Sequence, residues 1–156
     1  IVATVRRILE HSNLPGHYLE LEITESVAMD NTGEMIRTLK NLKALGVRIA
    51  IDDFGTGYSS LSYLKQLPID VLKIDRSFVT DLHEDRDDAA IASAIISMGQ
   101  SLNLQPVAEG VEREEHRQFL LDHGCQYGQG YLFSRPVPAA TMEQLLLESQ
   151  ALSAWR

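Results

Sequence analysis

Cysteine is almost missing from this chain. Cys125 stands alone among 156 residues, so no intrachain disulfide can form and a reducing compartment fits. Long apolar runs are missing too. None approaches the ~20 residues of a membrane span, and the first residues show no secretory leader pattern. Positive charge is scarce: 14 Lys and Arg against 22 Asp and Glu leave a formal net charge of −8. That balance argues against DNA, RNA or an anionic membrane as a broad partner. A small phosphorylated ligand stays open, because a bound metal reverses the sign of its site. Low-complexity segments and linkers are absent. Hydrophobic content of 44% and charged content of 23% are close to globular averages, which excludes a disordered chain. The length suits one ordinary domain with a sizeable core. The chain opens at Ile1 rather than methionine, as a segment of something longer would.

What is present alternates. Val2, Val5, Ile8 and Leu9 are spaced for a helix that Asn13-Leu14-Pro15-Gly16 breaks. Strand character follows over 18–24. A helix is expected over 34–45, with Met35, Leu39, Leu42 and Leu45 on one face and Gly46 as its stop. The expected order then runs strand 47–52, helix 60–67 and strand 71–75. A long helix follows over 87–102, carrying Ile91, Ala94, Ile95 and Met98 on one face. Strand 105–109, helix 114–123, strand 127–133 and helix 139–151 complete the chain. Five strand–helix units after one helix imply an α/β protein with a parallel sheet. An open doubly wound sheet and a (β/α)8 barrel compete. No Gly-rich phosphate loop follows the first strand, and polar residues stand near the end of every strand, which favours a barrel mouth. Ile49, Ile51, Val71, Ile74 and Val107 are the expected inward apolar side chains.

The chemistry concentrates at the strand ends. Ile49-Ala50-Ile51-Asp52-Asp53-Phe54-Gly55-Thr56-Gly57 runs an apolar strand into two acids and a glycine loop. Buried carboxylates need a counter-charge or a metal. Glu22, Asp52 and Asp53 are oxygen donors suited to hard cations such as Mg²⁺, Mn²⁺ or Ca²⁺. The plainer alternative has Glu22 in solvent and Asp52 capping its loop. Lys73 sits inside an apolar strand. It either stabilises charge on a phosphate and its attacking water, or forms an ion pair with Asp75 or with an acid on a neighbouring strand. Glu109 could bind metal or act as a general base. Glu112 reads equally well as a charge at a helix N-terminus. Asp53-Phe54-Gly55 looks like a kinase magnesium motif, but no catalytic loop precedes it. His116, His123 and Cys125 match no common zinc spacing and read as helix-surface and structural residues.

Several ordered blocks together closely resemble the EAL-domain phosphodiesterases of bacteria. They are Leu21-Glu22-Ile23-Thr24-Glu25-Ser26, the loop from Asp52 to Leu61, Leu72-Lys73-Ile74-Asp75, Val107-Ala108-Glu109-Gly110-Val111-Glu112 and Gln129-Gly130-Tyr131-Leu132-Phe133-Ser134-Arg135-Pro136. The resemblance runs nearly end to end. It implies a (β/α)8 TIM-type barrel of which residues 1–156 supply about the last five βα units. It further implies hydrolysis of cyclic di-GMP to linear pGpG with Mg²⁺ or Mn²⁺, two ions in all, and inhibition by Ca²⁺. By motif position Glu22, Asp52 and Asp53 are the expected metal ligands, with Asp52 bridging. Lys73 and Glu109 are the expected catalytic residues, and Glu112 and Gln129 support them. Glu25 is expected to steady the Asp53–Ser60 loop, through which a homodimer is expected. Phe133, Arg135 and Pro136 are the expected substrate contacts.

The family's namesake Glu-Ala-Leu segment occurs nowhere in this chain, nor does the asparagine of the next strand. Both supply metal ligands in active members. The expectation is therefore a phosphodiesterase in the intact protein, with the isolated segment inactive. The alternative is a receptor that holds cyclic di-GMP without cutting it. A cytoplasmic domain is expected, in a parent open to membrane anchoring, with a sensor or GGDEF domain upstream.

Overall fold

The computed structural model describes residues 1–29, 32–57 and 61–148. Helix α1 (Val2–Ser12) leads through a 3₁₀ turn (Gly16–Tyr18) to strand β1 (Glu20–Thr24). Helices α2 (Glu25–Met29) and α3 (Thr32–Lys43) precede β2 (Arg48–Phe54). Then come α4 (Leu61–Leu64), β3 (Val71–Ile74), α5 (Ser77–Thr80), α6 (Arg86–Ser101), β4 (Gln105–Ala108), α7 (Glu114–Asp122), β5 (Tyr127–Gly128) and α8 (Ala139–Glu148). Among the described residues the five strands form one sheet in chain order, with β1 parallel to β2 and β4 parallel to β5. The alternation expected from the sequence is thus realised.

The chain divides into two compact units, Ile1–Lys73 with Gly99–Gln105, and Ile74–Met98 with Pro106 onward. In the first unit Ile49, Ala50 and Ile51 of β2 have no solvent exposure. A parallel strand covered on both faces needs such a continuous apolar run. Leu39 and Leu42 of α3 are buried, and α2 and α3 both contact β2. Asp70, just before β3, ties the unit together at its polar end. Lys43 Nζ donates to both its carboxylate oxygens at 2.7 Å, and the Ile49 amide donates to its Oδ2 at 2.9 Å.

Side chains of a strand alternate between faces. Lys73 reaches Glu22 and Asp52, so these three share one face of the sheet. Ile49, Ile51 and Ile74 therefore occupy the opposite face. Of the expected inward side chains these three thus face away from the site residues, whereas Val71 falls on the Lys73 face.

In the second unit Ala92, Ile95 and Ile96 of α6 are buried together with Ala108, Val111, Leu120 and Cys125. The buried stripe of α6 is offset from the expected one: Ile91 is 38% exposed and Ala94 lies at the surface. Cys125 Sγ sits 3.3 Å from the Tyr127 carbonyl and 3.7 Å from that of Pro106.

Other departures have local causes. The expected strand over 127–133 stops at Gly128, because the chain turns at Gly130, whose carbonyl accepts the Phe133 amide at 3.1 Å. A Cβ at Gly130 would lie 2.1 Å from the Val111 carbonyl oxygen; two backbones meet there without side chains between them. Short helices α2 and α5 were not anticipated. The Asp75 carboxylate accepts the Ser77 amide at 2.9 Å and starts the α5 turn. Helix α4 is shorter than expected, and its expected start at Ser60 lies outside the described residues, as does the expected end of α8 at Ala151.

Candidate functional site

In the first unit, β1, β2 and β3 deliver Glu22, Asp52 and Lys73 to one place. The register pairs Glu22 with Ala50 and Thr24 with Asp52, so the two acids are offset along neighbouring strands. Lys73 is 5% exposed. A lysine so deeply buried requires partners. Its Nζ lies 2.9 Å from Glu22 Oε1 and 2.8 Å from Asp52 Oδ1. Of the two alternatives weighed for Lys73, the pair with a neighbouring strand is present in full, with two strands contributing. Asp52 Oδ1 is buried and has no aligned hydrogen bond, so its link to Lys73 is an ion pair only.

The loop after β2 is held by Glu25, the first residue of α2. The residue is 3% exposed. Oε2 accepts the amide of Gly55 at 2.9 Å and that of Gly57 at 3.2 Å. Gly57 suits this close approach: a Cβ there would stand 2.8 Å from Glu25 Oε1, and the carboxylate would have to shift. Thr56 Oγ1 donates to the Asp53 carbonyl at 2.9 Å. Asp53 itself has φ 54°, the left-handed region that costs most residues energy and that Asp tolerates better than most. The expected loop ends at Ser60, and its last three residues, 58–60, lie outside the described residues.

In the second unit Glu109 follows β4, its amide donating to the Ile74 carbonyl at 3.2 Å. Gln129 Nε2 donates to Glu109 Oε1 at 3.3 Å. The Gln129 backbone is fixed at both ends: its amide donates to Ala108 at 2.8 Å, and its carbonyl accepts the Val111 amide at 3.1 Å. Gly110 lets the chain turn at φ 70° where a Cβ would lie 2.8 Å from Arg76 Cβ. Glu112 is exposed, and its amide makes a long 3.5 Å donation to His116 Nδ1. His116 is 2% exposed rather than on the helix surface, and its Nε2 is buried without a hydrogen-bond partner. Burial pushes its pKa down, helped by Arg113 and His83 and opposed by Glu115 and Glu112. The Arg135 guanidinium lies 4.3 Å from the Tyr131 ring centroid, Phe133 is half-buried and Pro136 exposed.

Glu22, Asp52 and Lys73 are therefore brought together within one unit, and Glu109 and Gln129 within the other. His116 was misplaced by sequence reasoning. The signal available was its position two residues into a helix and four after Glu112, where the ring faces back toward the preceding loop. A divalent cation fits the donor set of the first unit. The set is all carboxylate oxygen, and the buried Asp52 Oδ1 lacks the aligned hydrogen bond that such an atom normally has.

A family model for the EAL domain matches residues 1–136, and the chain belongs to that family. It is 51% identical over 146 residues to the cyclic di-GMP phosphodiesterase NbdA of Pseudomonas aeruginosa, covering 94% of this chain and 19% of that protein. It is 54% identical over 147 residues to the bifunctional diguanylate cyclase/cyclic di-GMP phosphodiesterase MucR of the same organism, covering 94% and 21%. Among solved structures, the PaMucR phosphodiesterase in complex with c-di-GMP superposes with a TM-score of 0.88 at 52% identity, over 90% of this chain and 57% of that one. The Klebsiella pneumoniae BlrP1 manganese/cy-diGMP complex gives 0.80 at 35% identity, over 86% and 34%. The five βα units are thus part of an EAL-type barrel, and the chain spans about a fifth of the length of these curated relatives. Among the described residues no helix is long and apolar enough to cross a membrane.

Proposed function

We propose that the intact protein is a metal-dependent phosphodiesterase that hydrolyses cyclic di-GMP to linear pGpG. The observation that carries this reading is the packing of Glu22, Asp52 and a buried Lys73 from three neighbouring strands into one carboxylate–ammonium set. Relatives named for this activity, at about half identity, support it.

Glu22, Asp52 and Asp53 would hold Mg²⁺ or Mn²⁺, two ions with Asp52 shared. Such ions, when bound, supply Lewis acidity toward phosphate oxygens and acidify water. The protein's own groups do the rest. Lys73 places a positive charge where phosphate charge develops, and its burial makes that charge effective. Glu109 accepts a proton from the attacking water, and Gln129 orients its carboxylate. Glu25 keeps the loop that begins at Asp53 in one conformation, so Asp53 is held ready rather than ordered on binding. Glu112 supports this arrangement through the loop that His116 tethers. Phe133, Arg135 and Pro136 contribute to the base-binding wall, with Arg135 already stacked on Tyr131.

Ca²⁺ should inhibit, since it prefers longer and looser coordination. We also assign a homodimer contact to the Asp53–Ser60 loop, a cytoplasmic site of action, and a sensor or GGDEF domain upstream. The test is turnover of cyclic di-GMP by the intact protein with Mg²⁺ or Mn²⁺ and after chelation. Metal-dependent release of pGpG is expected. Equal rates with and without metal would sink the reading, and tight binding without turnover would make the protein a receptor.

A further inference from the structure

We propose that Lys73 is a built-in counter-ion that competes with the divalent cation for the same two carboxylates. This inference rests on the metal-dependent reading and adds a direction of coupling to it. The Lys73 ammonium bridges Glu22 Oε1 at 2.9 Å and Asp52 Oδ1 at 2.8 Å. It thereby answers the need of two acids on adjacent strands for positive charge. A cation held by the same Asp52 oxygen at the usual ~2.1 Å would stand roughly 4 Å from the ammonium. Lys73 is 5% exposed, so water screens that repulsion poorly. Lys73 has a flexible four-carbon stem, whereas the two carboxylates are set by the register of adjacent strands. The ammonium is therefore the partner that yields.

Two consequences follow. With a cation held on Asp52, Lys73 would lose that carboxylate as a partner, and its ammonium would then be available to water and phosphate. The acidic set also never stands bare, so the metal-free protein stays folded. The price is weakened metal affinity.

The experiment measures Mn²⁺ binding alone, with no nucleotide, by electron paramagnetic resonance of free Mn²⁺ on the intact protein. Lys73→Met and Lys73→Gln remove the charge, the second keeping hydrogen-bond donors in case the first does not fold without metal. Lys73→Arg keeps the charge. Both neutral variants should bind Mn²⁺ at least about fivefold more tightly, the lower end of ordinary coupling between two bound species. Lys73→Arg should stay near wild type. Without metal the neutral variants should melt below wild type, and the gap should narrow as Mn²⁺ is added. Unchanged or weaker Mn²⁺ affinity in both neutral variants would overturn the competition while leaving the metal-dependent reading standing. Failure of every form, wild type included, to take up Mn²⁺ would remove that reading and this inference with it.

Discussion

Asp52 carries most of the argument at the scale of single residues, because one buried oxygen is asked to satisfy both a lysine and a cation. Asp52→Ala should abolish turnover and weaken metal binding by more than the roughly tenfold that loss of an outer partner of a ligand costs. Lys73→Ala should also abolish turnover, yet cost less in binding of the cyclic dinucleotide, since its part is in the charge that develops during reaction. Calorimetry beside kinetics separates the two, and near-normal turnover by the Lys73 variant would refute its role. His116 makes a prediction about pH. Its folded pKa lies below the ordinary 6.5, so the folded protein prefers the neutral ring. The unfolded chain takes up its proton first as pH falls. The associated stability is complete above pH 6.5 and is lost progressively below it, until the folded ring titrates too. Denaturant melts from pH 8 to 5 should show that loss in wild type and a flatter profile in His116→Gln. An identical profile would show that the ring titrates alike in both states.

At the level of elements, some features are legible in the sequence alone. The strand–helix alternation and the acids at strand ends were legible because apolar runs and their breaks are local signals. So was Lys73's need for a partner, but not which of the two alternatives it takes. The choice depends on the register of β1 against β2, and on β3 lying beside β2. The family resemblance placed Glu25 on the loop; what it could not supply is that one carboxylate oxygen serves two glycine amides. The stripe on α6 was offset because a helix in an α/β fold buries whichever arc meets its neighbours. Strand β5 was overextended because alternation in 127–133 does not reveal a backbone contact at Gly130. At this scale Glu25→Ala is the informative change. It strands the amides of Gly55 and Gly57 and should cost about 2 kcal/mol. Hydrogen exchange should quicken at those amides before it changes in β2. Protection equal to wild type would mean that the loop is held by something else.

For the molecule as a whole, an exposed sheet edge matters as much as any residue. β1 ends the sheet order and has only half-covered apolar side chains, Leu21 and Ile23, between exposed acids and Thr24. Residues 1–156 expressed alone should therefore associate or aggregate through that edge, and should lack turnover. Light scattering with a hydrolysis assay decides the matter, and a monodisperse active monomer would show that further strands are dispensable. One more property follows from Cys125. Burial raises its thiol to about 11, and no other sulfhydryl exists in the chain to compete for a reagent. Within residues 1–156 a maleimide dye at neutral pH thus finds no thiol to attack until the fold breathes. Each labelling event is then a time stamp on an opening, and the protein carries its own clock for how often its second unit comes apart.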